Sequence, residues 1–80
     1  MVDESRLKRV LANIFGVPEA SLDDTSSQDN VPTWDSLHHM NLVLALEEEF
    51  GVIIPDEDAA NMMSYKLIRI VLDEQLAGKR

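Results

Sequence analysis

The sequence predicts an all-α fold: a small bundle of three main helices plus one short helix, with a long loop between helices one and two. Apolar residues recur at helical rather than strand spacing. Three of the periodic segments run into a glycine, and proline and capping residues mark the other boundaries. At 80 residues the chain has room for one domain, residues 1–80, and for little more.

In the first segment Leu7, Val10, Leu11 and Ile14 stand at i, i+3, i+4 and i+7, which makes an amphipathic helix from about Asp3 to Phe15 with one core-facing stripe. Asp3 and Glu4 suit the positive end of its dipole, Gly16 suits its stop, and Pro18 prevents its resumption. Residues 16–34 form the long connection, rich in Ser, Asp, Thr, Asn and Pro. Val17, Leu22 and Val31 are the residues expected to pin it to the bundle. A loop of this length in a compact domain is often functional.

The second helix is expected from about Ser36 to Phe50, stopped by Gly51. Its apolar residues Leu37, Met40, Leu42, Val43, Leu44, Leu46 and Phe50 cover an arc of about 220°. A surface helix needs little more than about 100°. This helix is therefore either central to the bundle or carries an exposed apolar strip, with His38, Asn41, Glu48 and Glu49 on the narrow face that remains. The β-branched run Val52, Ile53, Ile54 is too short to make a sheet alone. Pro55 followed by Asp56, Glu57 and Asp58 is a helix-start pattern, giving a short third helix around residues 56–62. Ser64 is placed to cap a last helix from Tyr65 to about Leu76, with Leu67, Ile68, Val71 and Leu72 inward and Gly78 as its end.

Composition narrows the function. Apolar residues make up 45% of the chain, enough for a packed core. A domain this small has little room for a deep cleft with several buried catalytic groups, so no catalytic residue is expected. Without cysteine there is no disulfide and no cysteine nucleophile or metal site. The N-terminus does not read as a signal peptide, and no stretch approaches the roughly 20 apolar residues that span a bilayer. The expectation is a cytoplasmic, monomeric protein.

The net charge is -8, and the basic residues lie only at the two ends: Arg6, Lys8, Arg9, Lys66, Arg69, Lys79 and Arg80. Between Val10 and Tyr65 every charged residue is acidic. Such a field repels nucleic acid and anionic membranes and speeds encounter with basic protein partners. Taken alone, the same charge is also that of an acidic surface that only confers solubility.

The stretch richest in chemistry is Trp34-Asp35-Ser36-Leu37, just before the second helix. A serine at a helix N-terminus stands where backbone N–H groups and the dipole favour an anion such as a phosphate ester. Asp35 is the more natural N-cap, accepting from an N–H two or three residues on. The dipeptide alone is also explained as capping chemistry. Its context is more specific: Asp35-Ser36-Leu37 is followed by Leu42-Val43-Leu44-Ala45-Leu46-Glu47-Glu48-Glu49-Phe50-Gly51 and then by Ile54-Pro55-Asp56-Glu57-Asp58-Ala59. In this order and at these separations the three pieces resemble the acyl carrier protein family, over essentially the whole chain.

That resemblance implies a covalent cofactor, 4′-phosphopantetheine, attached to Ser36 from coenzyme A by a phosphopantetheinyl transferase that uses Mg²⁺. The arm ends in a thiol that carries acyl groups as thioesters, so the reactive sulfur comes from the arm and not from the chain. Asp35 would support the modification step. Leu37 and Leu44, with Glu47 and Glu48, would form the surface that acyl-loading and acyl-transferring enzymes with basic surfaces read, and Met40 is counted with them. The departures from the family pattern are His38, His39, Met40 and Asn41, where carriers of primary fatty-acid synthesis have further acids, and Trp34 in place of a small residue. They point to a specialised carrier with its own partner set, and they keep an aryl, aminoacyl or peptidyl carrier open. A different class, an unmodified acidic helical interaction domain, would have no need of the serine.

Other readings of these residues are weaker. His38 and His39 point about 100° apart on a helix and cannot easily chelate one metal, and no third His and no Cys exists to complete a site. By helical angle His38 falls on the polar face, and His39 falls in the apolar arc, where it covers core or bonds a loop carbonyl. A hydrolytic triad of Ser36, His39 and Asp35 lacks the nucleophile elbow and an oxyanion hole. Asp56, Glu57 and Asp58 lack the EF-hand alternation. The methionines read as core filler, with Met40 and Met62 able to shape an adaptable cavity.

Overall fold

In the computed structural model, which describes residues 2–78, the first helix, α1, spans Glu4–Phe15. Met1, Lys79 and Arg80 lie outside the described residues. The Asp3 carboxylate caps α1 by accepting from the N–H groups of Ser5 (3.0 Å) and Arg6 (3.3 Å). Gly16 ends it in the left-handed region, at φ 68°, where a side chain would be strained. A single 3₁₀ turn, Glu19–Ser21, follows. The second helix, α2, spans Ser36–Phe50 between an Asp35 cap and a second left-handed glycine, Gly51. The short helix α3 is Asp56–Asn61, and α4 is Tyr65–Gly78, whose first turn is capped by the Ser64 hydroxyl accepting from the Leu67 N–H at 3.2 Å. Among the described residues no strand forms, and the Ser27–Ser64 pairing is an isolated bridge.

The core joins Leu7, Leu11 and Phe15 of α1 to Leu42, Leu46 and Phe50 of α2 and to Ile68, Val71 and Leu72 of α4. The start of α1 lies beside the end of α2. There the Arg6 guanidinium bonds both the Glu49 carboxylate (2.9 Å) and the Glu49 carbonyl (2.7 Å), one of the orphan acceptors at a helix C-terminus.

The long loop is ordered by the same chemistry. Leu22, Val31 and Trp34 are buried in the core, and Val17 packs against it. Trp34 stacks on Phe15 with ring centroids 4.7 Å apart. The carbonyl of buried Ser26 accepts from the Tyr65 N–H at 2.8 Å, tying the loop to the start of α4.

Two expectations change. The loop contains the 3₁₀ turn, because Pro18 leaves the chain extended at the entry and Leu22 then turns into the core. Leu67 is not inward but 42% exposed, since it lies about 100° round the helix from Ile68, the centre of the buried face. The boundaries of α1, α3 and α4 fall within two residues of those expected, the usual scatter of helix ends.

Candidate functional site

Ser36 is the first residue of α2, and its position follows from the residue before it. Asp35 is extended (φ −111°, ψ −177°), and one of its carboxylate oxygens accepts from the His38 N–H at 2.9 Å. The same oxygen lies 2.8 Å from the His38 ring nitrogen Nδ1. The backbone bond from His38, joined by the ring, holds the Asp35 carboxyl below the ordinary carboxylate range. With the cap supplied by Asp35, the Ser36 side chain is left exposed and makes no hydrogen bond with the described residues.

That freedom separates it from most other serines. The hydroxyl of Ser21 donates to the Pro18 carbonyl, and those of Ser26, Ser27 and Ser64 accept from nearby backbone N–H groups. Ser5 alone shares the exposure and the helix N-terminal setting, but it is followed by Arg6 and not by an apolar strip.

Beyond Ser36, α2 turns Leu37, Met40 and Leu44 outward, with 67, 65 and 63% of each residue exposed. They lie within about 60° of one another round the helix. Glu47 and Glu48 border this strip on its two sides, each about 20° beyond it. Of the two explanations for the wide apolar arc, the helix satisfies both: Leu42, Leu46 and Phe50 fill the core while the strip faces out. Glu48 is exposed, whereas Glu47 is half-buried and its carboxylate accepts from the Ile54 N–H at 2.7 Å. Met40, Val43, Leu44 and Ile54 line a shallow cleft of 250 Å³ between α2 and α3. Met62 is buried in the core and is not among its walls.

Two residues matter more than their sequence positions indicated. His39 is half-buried: its Nδ1 accepts from the Trp34 indole N–H at 3.0 Å, and its Nε2 faces the Ala59 carbonyl at 2.7 Å. Its place in the apolar arc was the signal that it turned inward, but nothing in the sequence identified Trp34 as its partner. With both ring nitrogens engaged, His39 is not available to activate Ser36, and Asp35 pairs with His38 instead of orienting it. The site therefore holds no catalytic triad. The two histidines also diverge, and among the described residues no group of three or more potential metal ligands comes together.

No family model matches this sequence. Solved structures do match the fold. A holo acyl carrier protein from Geobacter metallireducens superposes with a TM-score of 0.84 at 23% identity, covering 96% of this chain and 88% of that one. A holo acyl carrier protein from Nitrosomonas europaea superposes with a TM-score of 0.80 at 22% identity, covering 96% of this chain and 99% of that one. The chain has the acyl carrier protein fold.

Proposed function

We propose that this chain, built on that fold, is an acyl carrier protein that holds a 4′-phosphopantetheine arm on Ser36. The observation that carries the reading is the exposed Ser36 hydroxyl, free of hydrogen bonds, at the first position of a helix already capped by Asp35. Both solved structures named above are of holo acyl carrier proteins. The residues around Ser36 fit the group. The helix N-terminus favours the phosphodiester charge, the hydroxyl has no competing partner, and the open surface leaves room for a long arm.

When bound, the arm supplies the thiol on which acyl groups are carried as thioesters. The chain itself supplies attachment and recognition. A phosphopantetheinyl transferase, using coenzyme A and Mg²⁺, would join the pantetheine-bearing phosphorus to Ser36 Oγ, the pyrophosphate bond of coenzyme A breaking to release adenosine 3′,5′-bisphosphate as the hydroxyl proton leaves. Asp35, held ionised by His38, adds a negative charge beside the serine that suits a cation-assisted transfer. The strip of Leu37, Met40 and Leu44 offers an apolar contact, and Glu48 with the outer edge of Glu47 offers charge to basic enzymes that load and transfer the acyl group. The scarcity of acids between Leu37 and Val43 supports a partner set distinct from that of general fatty-acid synthesis.

Intact mass spectrometry after incubation with coenzyme A, Mg²⁺ and a broad-specificity transferase tests the reading. A gain of one phosphopantetheine unit is expected, absent in Ser36→Ala. No gain in a folded chain, with that transferase and with the one from its own source, would leave an unmodified interaction domain.

A further inference from the structure

The helix α3 has little of its own to hold it. It is six residues long, no residue within it is buried, and no side chain caps its start. An isolated helix of that length is not stable in water. It hangs between buried Ile54 and Met62, and Gln75 of α4 reaches Asp58 at 3.5 Å. Ala59 packs against the core, and two hydrogen bonds come from α2, one near each end. Glu47 holds the Ile54 N–H before α3 starts, and His39 holds the Ala59 carbonyl in its last turn. Between these two ties lies the apolar cleft.

The His39 tie is held on its far side. Trp34 is only 3% exposed and packed on Phe15, so its indole N–H is aimed with little freedom at His39 Nδ1. The ring satisfies both contacts with its proton on Nε2, donating to Ala59 and accepting from Trp34. One side chain thereby connects the residue preceding Asp35-Ser36, the first turn of α2 and the last turn of α3.

We infer that His39 is a positioning residue: it fastens α3 over the cleft and sets how readily that cleft opens to an apolar group attached at Ser36. The second half rests on the carrier reading above; the first half does not. Trp34 fixes the ring, and the Ala59 carbonyl is what the ring fastens. A His39→Leu variant keeps bulk and loses both bonds. His39→Gln keeps one acceptor and one donor, a carbonyl oxygen for Trp34 and an amide N–H for Ala59.

The test is amide and indole hydrogen exchange on the unmodified chain, followed by hydroxylamine cleavage of octanoyl and acetyl thioesters on the modified one. Loss of the tie in His39→Leu and His39→Ala is expected to speed exchange at the Trp34 indole and in residues 59–62 by about tenfold, the effect of one net hydrogen bond. Core amides at Leu42 and Leu46 should keep their protection, and His39→Gln should stay within roughly twofold of the parent. On the modified chain, octanoyl cleavage should change in His39→Leu while acetyl cleavage does not, because only the longer chain reaches the cleft. Unchanged α3 exchange in both His39→Leu and His39→Ala would overturn the inference, as would failure of His39→Gln to restore it in a folded protein. Failure of the chain to accept the arm would instead count against the carrier reading, with the exchange data still deciding the role of His39.

Discussion

Helices α1 and α2 are built alike at their ends and differently along their lengths. Each begins behind an aspartate cap, Asp3 or Asp35, and each stops at a left-handed glycine, Gly16 or Gly51. Each has an exposed serine in its first turn, Ser5 or Ser36. Yet α1 has one apolar stripe, which packs into or against the core, while α2 has two, one inward and one outward. Burial explains every large apolar residue of α1. On α2 it explains Leu42, Leu46 and Phe50 and leaves Leu37, Met40 and Leu44 unexplained by folding. Similar ends with unequal faces separate what makes a helix from what makes a helix useful. The cap and the glycine stop belong to the first, and the outward strip beside a free serine belongs to the second.

Core truncation should affect the two helices alike and most strongly. Leu11→Ala in α1 and Leu46→Ala in α2, both fully buried, should each destabilise by about 2–5 kcal/mol in urea unfolding. In both cases the residual folded protein should still accept the arm. The caps come next: Asp3→Ala should cost about 0.5–2 kcal/mol, and Asp35→Ala should destabilise in the same direction. Only Asp35→Ala should also slow modification, and equal loading rates for the two variants would remove the distinction between the helices. Leu44→Ala should stay within about 0.5 kcal/mol of the parent, as expected of an exposed side chain. It should nevertheless weaken transfer by partner enzymes, measured as KM for the carrier.

The smallest effect is on pH. The folded-state pKa of Asp35 is lowered by its bonds with His38, so its contribution to stability is present above the ordinary carboxylate pKa and is lost as pH falls through the lowered value. In an NMR titration the Asp35 carboxyl should titrate below a typical exposed aspartate, and His38→Ala should move it part of the way back. An Asp35 midpoint at the ordinary value in the parent would remove the pairing.

Much of this was legible because it is local. Capping aspartates, glycine stops and apolar residues at helical spacing act over one or two turns, so α1 and α2 follow from the chain in order. The excess width of the apolar arc on α2 was also visible, although only packing shows which part faces out. What the sequence did not give was long-range. Trp34 is a residue before a cap in the sequence and a buried ring against Phe15 in the fold. His39 reaches Ala59, 20 residues away. Glu47 reads as a surface acid, yet it tethers the Ile54 backbone. Each of these depends on how the loop and α3 return to α2, which no local pattern encodes. Leu67 was misplaced for the related reason that an apolar residue at the border of a stripe has no sequence mark of its side.

Fragment-ion mapping of the modified chain decides whether Ser36, and no other serine, receives the arm. The added phosphopantetheine is expected on the peptide containing Trp34 to Leu37, with Ser36 as the attachment point and Ser5 unmodified. An arm found on Ser5, or divided between the two helix N-termini, would contradict it, because the outward strip of α2 would then have no part in choosing the site.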